Sequence, residues 1–334
     1  MSDFWSTFLS QDIPTPNDLN ERNSACSVYP IQNRTVLSLK GVDSAKFMQG
    51  QFSCDMNKVT HETFTHGACC NAKGRMVANF TIAKQEDDFL LAIDSSLAES
   101  LQNHLKKYMV FFKSTLAPSD YVLTGIKGDN AEAMLTDVFG GCPAQAFAQY
   151  HFSGGLITQL PFDAGYELWL SPELAASKLP SVIERCTVLA HTDWALNLIT
   201  HGLPQLTLEN LEAQIPQMLN LGLVGGISFS KGCYTGQEIV ARMQYLGKMK
   251  RHMYRLDVKG TSIQPGDDVY TKDAKSPIGT VINCVTINGT CQALAVLEDK
   301  HLDSPLFIGS DLSTSAELLS LPYDPQYDMK SAGS

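Results

Sequence analysis

After Gly247 the chain changes character, and the change leaves few folds open. Residues 249–258, 268–271, 279–283, 292–297 and 306–308 are short β-forming runs split by Gly, Pro, Asn and Asp. Such runs cannot bury a core singly. At this spacing they close on one another as a small antiparallel barrel of about 75 residues. Upstream, strand and helix periods alternate. Residues 35–40 alternate as a half-buried strand does. Asp43 is placed to cap a helix that runs to Gln49 and ends at Gly50. Residues 64–71 and 76–82 predict two strands around the turn Ala72-Lys73-Gly74. Residues 95–107 place Leu97, Leu101 and Leu105 on one helical face. The mixture then repeats, with strands at 156–160 and 165–170. A helix follows Ser171 with Pro172 in first position, and another covers 193–200, stopped by Gly202 and Pro204. The fold class is α+β. The polar residues 1–34 read as an N-terminal arm, 35–247 as the α/β body, 248–323 as the barrel and 324–334 as a loose tail.

Composition narrows the function. The 334 residues leave room for two or three domains. Hydrophobic residues make up 44% and charged residues 18%, which excludes a disordered chain. Lys and Arg number 25 against 35 Asp and Glu, and the net charge of −10 argues against a general nucleic-acid coat. The first 20 residues show no basic leader, and the uncharged run 213–230 is broken by Pro216, Gln217, Asn220 and three glycines. A membrane span needs about 20 mostly apolar residues, so a soluble, cytoplasmic protein is expected. The nine cysteines are odd in number and include no C-x-x-C, so neither a disulfide framework nor a metal site is expected.

Chemistry concentrates in Lys231-Gly232-Cys233-Tyr234-Thr235-Gly236-Gln237-Glu238. Two glycines bracket a cysteine where a loop is expected to enter a helix. The positive end of a helix dipole and the neighbouring Lys231 would both favour the thiolate, the reactive form. A cysteine packed in a glycine turn is the plainer alternative.

This octapeptide resembles the signature of the YgfZ family, folate-binding proteins related to the aminomethyltransferase of the glycine cleavage system. Gly225-Gly226-Ile227-Ser228-Phe229 before it and Ile239-Val240-Ala241-Arg242 after it fit as well. So do Lys46-Phe47-Met48-Gln49-Gly50-Gln51, Asn71-Ala72-Lys73-Gly74-Arg75-Met76 and Leu105-Lys106-Lys107-Tyr108, in the family's order. The resemblance implies two mixed α/β lobes, split near 140–150, around a central folate pocket, with the barrel attached. It implies bound tetrahydrofolate or a derivative. It also implies a role in assembly or repair of iron–sulfur proteins and, through them, in tRNA modification, with no agreed reaction.

Two family tryptophans are assigned to folate. One matches Trp194, whose flat indole suits a pterin. The other falls opposite Arg34, a departure, although a guanidinium plane can also stack or pair. Glu167, in Gly165-Tyr166-Glu167, echoes a step of the aminomethyltransferase and reads as a pterin contact or as an exposed strand residue. Where the aminomethyltransferase carries adjacent aspartates, this chain has Val77 and Ala78, which disfavours aminomethyl transfer. Cys233 is the expected essential group, as nucleophile, redox thiol or transient cluster ligand, with Lys231, Tyr234, Gln237 and Glu238 as motif neighbours. The rivals are a folate-dependent one-carbon transferase and a non-catalytic scaffold with a vestigial folate pocket.

Six basic residues between 242 and 259, namely Arg242, Lys248, Lys250, Arg251, Arg255 and Lys259, are opposed by Asp257 alone. They could hold a folate tail, a phosphate or RNA, or line a solvated hinge. No aromatic-interleaved motif accompanies them, so direct tRNA or DNA binding is not expected. Cys69 and Cys70 are expected on opposite faces of a strand, and Cys284 and Cys291 as reduced neighbours across the turn at Asn288-Gly289.

Overall fold

The computed structural model describes residues 4–5, 25–245, 247, 249–260 and 263–327. It contains a five-stranded sheet, a six-stranded sheet and a closed six-stranded barrel. The five-stranded sheet holds β2 (Arg34–Lys40), β3 (Thr65–Cys70), β4 (Met76–Gln85), β5 (Asp88–Asp94) and β6 (Thr115–Ser119), in the order β3-β4-β5-β2-β6. All its neighbours are antiparallel. The expected hairpin is β3–β4. Asn71 closes it, its Oδ1 accepting from the backbone N–H of Lys73 (2.9 Å) and Arg75 (3.1 Å), an Asx turn. Helix α1 (Ser44–Gln49) follows Asp43 at the N-cap position as expected, but the Asp43 side chain makes no capping hydrogen bond to it. Its carboxylate accepts instead from the Lys113 N–H at 2.8 Å and ties the helix entry to the loop before β6. Helix α2 (Ala98–Met109) buries Leu101 and Leu105 against this sheet.

The six-stranded sheet runs β11-β1-β7-β10-β9-β8. Its strands are β1 (Ser27–Pro30), β7 (Val122–Lys127), β8 (Gln149–Phe152), β9 (Gly155–Gln159), β10 (Tyr166–Leu170) and β11 (Thr187–Val188). Helices α3 (Ala131–Phe139) and α4 (Pro172–Ile183) cover one face. The Ser171 hydroxyl caps α4 by accepting from the Leu174 N–H at 3.3 Å.

Two expectations are corrected here. Residues 27–30 are not part of a polar arm, because β1 is buried along its length between β7 and β11. Both β1 and β7 belong to the six-stranded sheet, so the chain crosses between sheets at 119–122, ahead of the split near 140–150. Of the expected arm, residues 1–3 and 6–24 lie outside the described residues, as do 328–334 of the expected tail.

Helix α5 (His191–Thr200) and helix α6 (Gln237–Tyr245) flank the long irregular stretch between the sheets and the barrel. The barrel is β12 (Arg251–Val258), β15 (Thr290–Glu298), β14 (Gly279–Ile287), β13 (Asp268–Tyr270), β16 (Leu306–Ile308) and β17 (Thr314–Leu319), closing back on β12. Closure leaves no free sheet edge. Inside lie Leu256, Val269, Val281 and Leu297. Outside, Met253, Ile282, Val285, Leu294 and Val296 join the main core with the five-stranded sheet. Among the described residues no helix is long and apolar enough to cross a membrane.

Candidate functional site

Asn79 and Thr81 are polar residues two apart in the apolar stretch 76–83 of β4, so they share a face. That face looks onto a small cavity between the two sheets, about 40 Å³ in volume, lined also by Arg34, His66 and Glu167 and by leucines from 160 to 221. Arg34 opens β2 and Glu167 sits on β10, so the cavity is bounded by both sheets. Arg34 Nη1 donates to Glu167 Oε1 at 2.6 Å, and Nη2 to Thr81 Oγ1 (3.0 Å) and the Ala92 carbonyl (3.1 Å). The side chains are 6% and 1% exposed, so this is a buried ion pair. The reading of Glu167 as an exposed strand residue is thereby corrected. Strand alternation points it inward, to a partner 133 residues away in sequence.

Two polar atoms on this wall have no partner among the described residues, Glu167 Oε2 and His66 Nε2. Burial, and then the positive charge of Arg34, push the His66 pKa down to about 3, so the ring is neutral. The Asn79 amide is committed, donating to the Pro204 carbonyl (2.7 Å) and accepting from the Leu206 N–H (2.8 Å). It pins the loop after α5 as the cavity's rim.

Trp194 is 2% exposed and does not line the cavity. It packs flat on Gly125, where an added Cβ would meet the indole at 2.5 Å, and tilts against Tyr29 at 5.2 Å between centroids. Gly125 pairs directly with Glu167 across β7 and β10. Trp194 therefore lies on the same face of the sheet as the Glu167 side chain, covering the strand next to the one that carries the carboxylate.

The octapeptide lies elsewhere on the body, where three sequence blocks meet. Lys231 is 9% exposed and turned inward. Its ammonium donates to the carbonyls of Gln49 (2.8 Å), Phe52 (2.7 Å) and Cys54 (2.8 Å), and lies 5.1 Å from the centroid of the Tyr234 ring. Burial lowers its pKa to about 8, against the opposing pull of Cys54 and Asp55. The expectation that Lys231 lends its charge to Cys233 is corrected, because three carbonyls of the 46–54 block take that charge. The Thr235 N–H donates to the Gly50 carbonyl at 3.1 Å, and its hydroxyl to Gln51 Oε1 at 3.2 Å. Gly236 has φ +83°, and a Cβ there would stand 2.5 Å from the Asn71 carbonyl oxygen, so the 71–76 block requires glycine at this position.

Cys233 itself is exposed, at the crest of this loop. Helix α6 begins only at Gln237, so the thiol precedes the first turn instead of occupying it. Gln237 Oε1 accepts from the Tyr234 N–H at 3.3 Å and Glu238 is exposed. Tyr234 is buried, which pushes its phenol pKa upward. The other singled-out cysteines are structural in placement. Cys69 and Cys70 are buried on either side of a β-bulge, and Cys284 and Cys291 are hydrogen-bonded neighbours in the barrel.

The basic run is largely spent on pairs along the outer surface of the barrel. Arg251 pairs with Glu298 (2.6 Å), Arg255 donates to Gln292 Oε1 (3.1 and 2.7 Å) and Lys259 pairs with Asp257 (2.8 Å). Arg242 and Lys250 are exposed, and Lys248 lies outside the described residues.

Residues 17–169 match the family described as GCVT N-terminal domain. The fold is that of the glycine cleavage system aminomethyltransferase T from Bartonella henselae, with a TM-score of 0.72 and 15% identity over 92% of this chain and 88% of that one. The chain is 33% identical to the tRNA-modifying protein YgfZ of Escherichia coli O7:K1, over 89% of its own length and 93% of the relative's. The chain belongs to the YgfZ family. A second YgfZ, from Pectobacterium carotovorum, is 31% identical over 90% of this chain and 92% of its own. This YgfZ member thus combines a GcvT-like body with the closed barrel. His66, Asn79 and Thr81 were not singled out in the sequence, although the polar pair on β4 was a legible signal.

Proposed function

We propose that this chain is a folate-binding factor for tRNA modification. It acts through the assembly or repair of iron–sulfur proteins, with Cys233 as its essential thiol. The observation that carries the reading is the match to YgfZ proteins, named tRNA-modifying, over about nine-tenths of both chains. The Glu167 cavity supports the folate part. Glu167 Oε2 and His66 Nε2 are buried polar atoms still open to a partner, and a pterin edge supplies N–H donors and ring acceptors to match. The polar groups fit a reduced folate. The volume does not fit while Arg34 is inside, since about 40 Å³ is close to one water's share and ligand pockets run to about 300–1,000 Å³. When bound, the folate would supply one-carbon or redox chemistry. The chain's own residues would hold its ring on Glu167 and His66. Val77 and Ala78 are buried and apolar on β4, which leaves no carboxylate at the step where aminomethyl transfer would need one.

The test is complementation of an Escherichia coli strain lacking its own YgfZ, read by mass spectrometry of tRNA nucleosides. This chain should restore the modified nucleosides that the strain loses, and the Cys233→Ser variant should not. Failure of the unaltered, expressed chain would overturn the tRNA reading. Full restoration by Cys233→Ser would overturn the role of the thiol.

A further inference from the structure

Arg34 engages Glu167 with one arm. Nη1 reaches Oε1, while Nη2 is turned to Thr81 and Ala92 and Oε2 is left unpartnered. A carboxylate is best satisfied by two parallel N–H donors, one on each oxygen. A buried pair of this kind adds little net stability over apolar residues of similar size. Its position on the cavity wall suggests a different use.

Arg34 also lines a second space. On the other side of it lies an open cleft of about 580 Å³ between the sheets, whose wall includes Gln32 and the exposed carboxylate of Asp120. Arg34 thus lines both spaces, with its guanidinium on the Glu167 side.

We propose that Arg34 is an internal competitor for the ligand. Its guanidinium occupies on Glu167 the place of the guanidine-like edge of a 2-amino-4-oxo heterocycle, and the site opens when Arg34 turns out into the cleft toward Asp120. The proposal rests on the folate reading and names the part of the molecule that is recognised. A ring bringing two adjacent N–H donors satisfies both Glu167 oxygens, which the single-armed Arg34 does not. The vacated guanidinium space enlarges the closed cavity next to the Glu167 carboxylate.

The test measures tetrahydrofolate affinity calorimetrically for the full chain, Arg34→Met and Asp120→Asn, with pterin and lumazine as competitors. Lumazine carries a second oxo group where pterin carries the 2-amino group. Removing the competitor should tighten binding at least about tenfold, because the ligand becomes the only partner of a buried carboxylate. Asp120→Asn, exposed and away from the closed pair, should weaken binding about two- to fivefold by removing the open state's partner. Pterin should displace tetrahydrofolate and lumazine should not. Binding by Arg34→Met no tighter than wild type, or equal competition by lumazine, would overturn the proposal while leaving folate binding in place. Absence of affinity in the full chain and in folded Arg34→Met would instead remove the folate reading itself. Should Arg34→Met not fold, Asp120→Asn decides, and an unchanged affinity there overturns the gate.

Discussion

Replacing Lys231 by Met separates an anchor from an activator. Met keeps most of the apolar stem and removes the ammonium. Three carbonyls, those of Gln49, Phe52 and Cys54, then lose a donor at 2.7–2.8 Å. Each buried acceptor left without a donor costs about 1–3 kcal/mol, or about 3–9 kcal/mol together. Against this, the variant escapes the cost of burying a charge. The fall in pKa from 10.5 to about 8 bounds that cost at about 3 kcal/mol. The lost donors win, and the expected net destabilisation is about 3 kcal/mol. Urea unfolding at pH 7, read as a lower midpoint at unchanged slope, measures it. The sign of the pH dependence follows from the same shift. Between about pH 8 and 10.5 the unfolded chain holds a proton that the folded chain has released, so wild-type stability rises across this window. Lys231→Met lacks the group, so the gap between the two proteins should widen there. A variant within about 0.5 kcal/mol of wild type, the range of ordinary surface changes, would refute the anchor.

Acid should act through His66. Its value of about 3 lies below the 6.5 of the unfolded chain, so its contribution is complete above pH 6.5 and is lost as pH falls, by up to about 1.4 kcal/mol per unit. His66→Phe should flatten that limb of an acid titration followed by circular dichroism. Gly236→Ala should cost about 2–4 kcal/mol, from a left-handed φ and a clash with Asn71. Gly232→Ala, with open space around it, should be close to neutral in the same melt. In limited alkylation at neutral pH, Cys233 should be modified first, because it is exposed while burial holds Cys54 and Cys70 at about 12. Equal rates at Cys54 would end the reactive-thiol reading.

The barrel and the β3–β4 hairpin were legible because their signals are local. Asn288 and Gly289 have φ of 51° and 77°, the left-handed pair that a two-residue hairpin asks of Asn-Gly. The motif blocks were legible by residue type, but not their convergence, because Lys231 reaches carbonyls 177–182 residues away. Sequence also gives no sign of which way a lysine turns, and an ammonium is read by default as facing water. Glu167 failed for a related reason. A lone acid on an apolar strand looks like a solvent-facing residue until Arg34 is seen opposite it. Strand β1 was missed because four residues ending in Pro carry little periodicity, and neighbours on both sides decide its burial.

The outer wall of the barrel has a practical consequence for cutting or moving this chain. Asn220 grips the Met253 backbone from both sides, donating at 2.8 Å and accepting at 3.3 Å, and Asn210 donates to Val281 and Ile282 at the β14 bulge. These amides behave as fragments of an extra strand, and the apolar residues between them belong to the body's core. A barrel excised at Gly247 would expose Met253, Ile282, Leu294 and Val296 to water, and a body truncated there would expose their partners. Both pieces should aggregate, and the intact chain should melt in one transition. The far tip of the barrel is the opposite case. Among the described residues nothing lies within 4 Å of where a side chain on Gly289 would begin, so an affinity tag or a new terminus placed there leaves the core untouched.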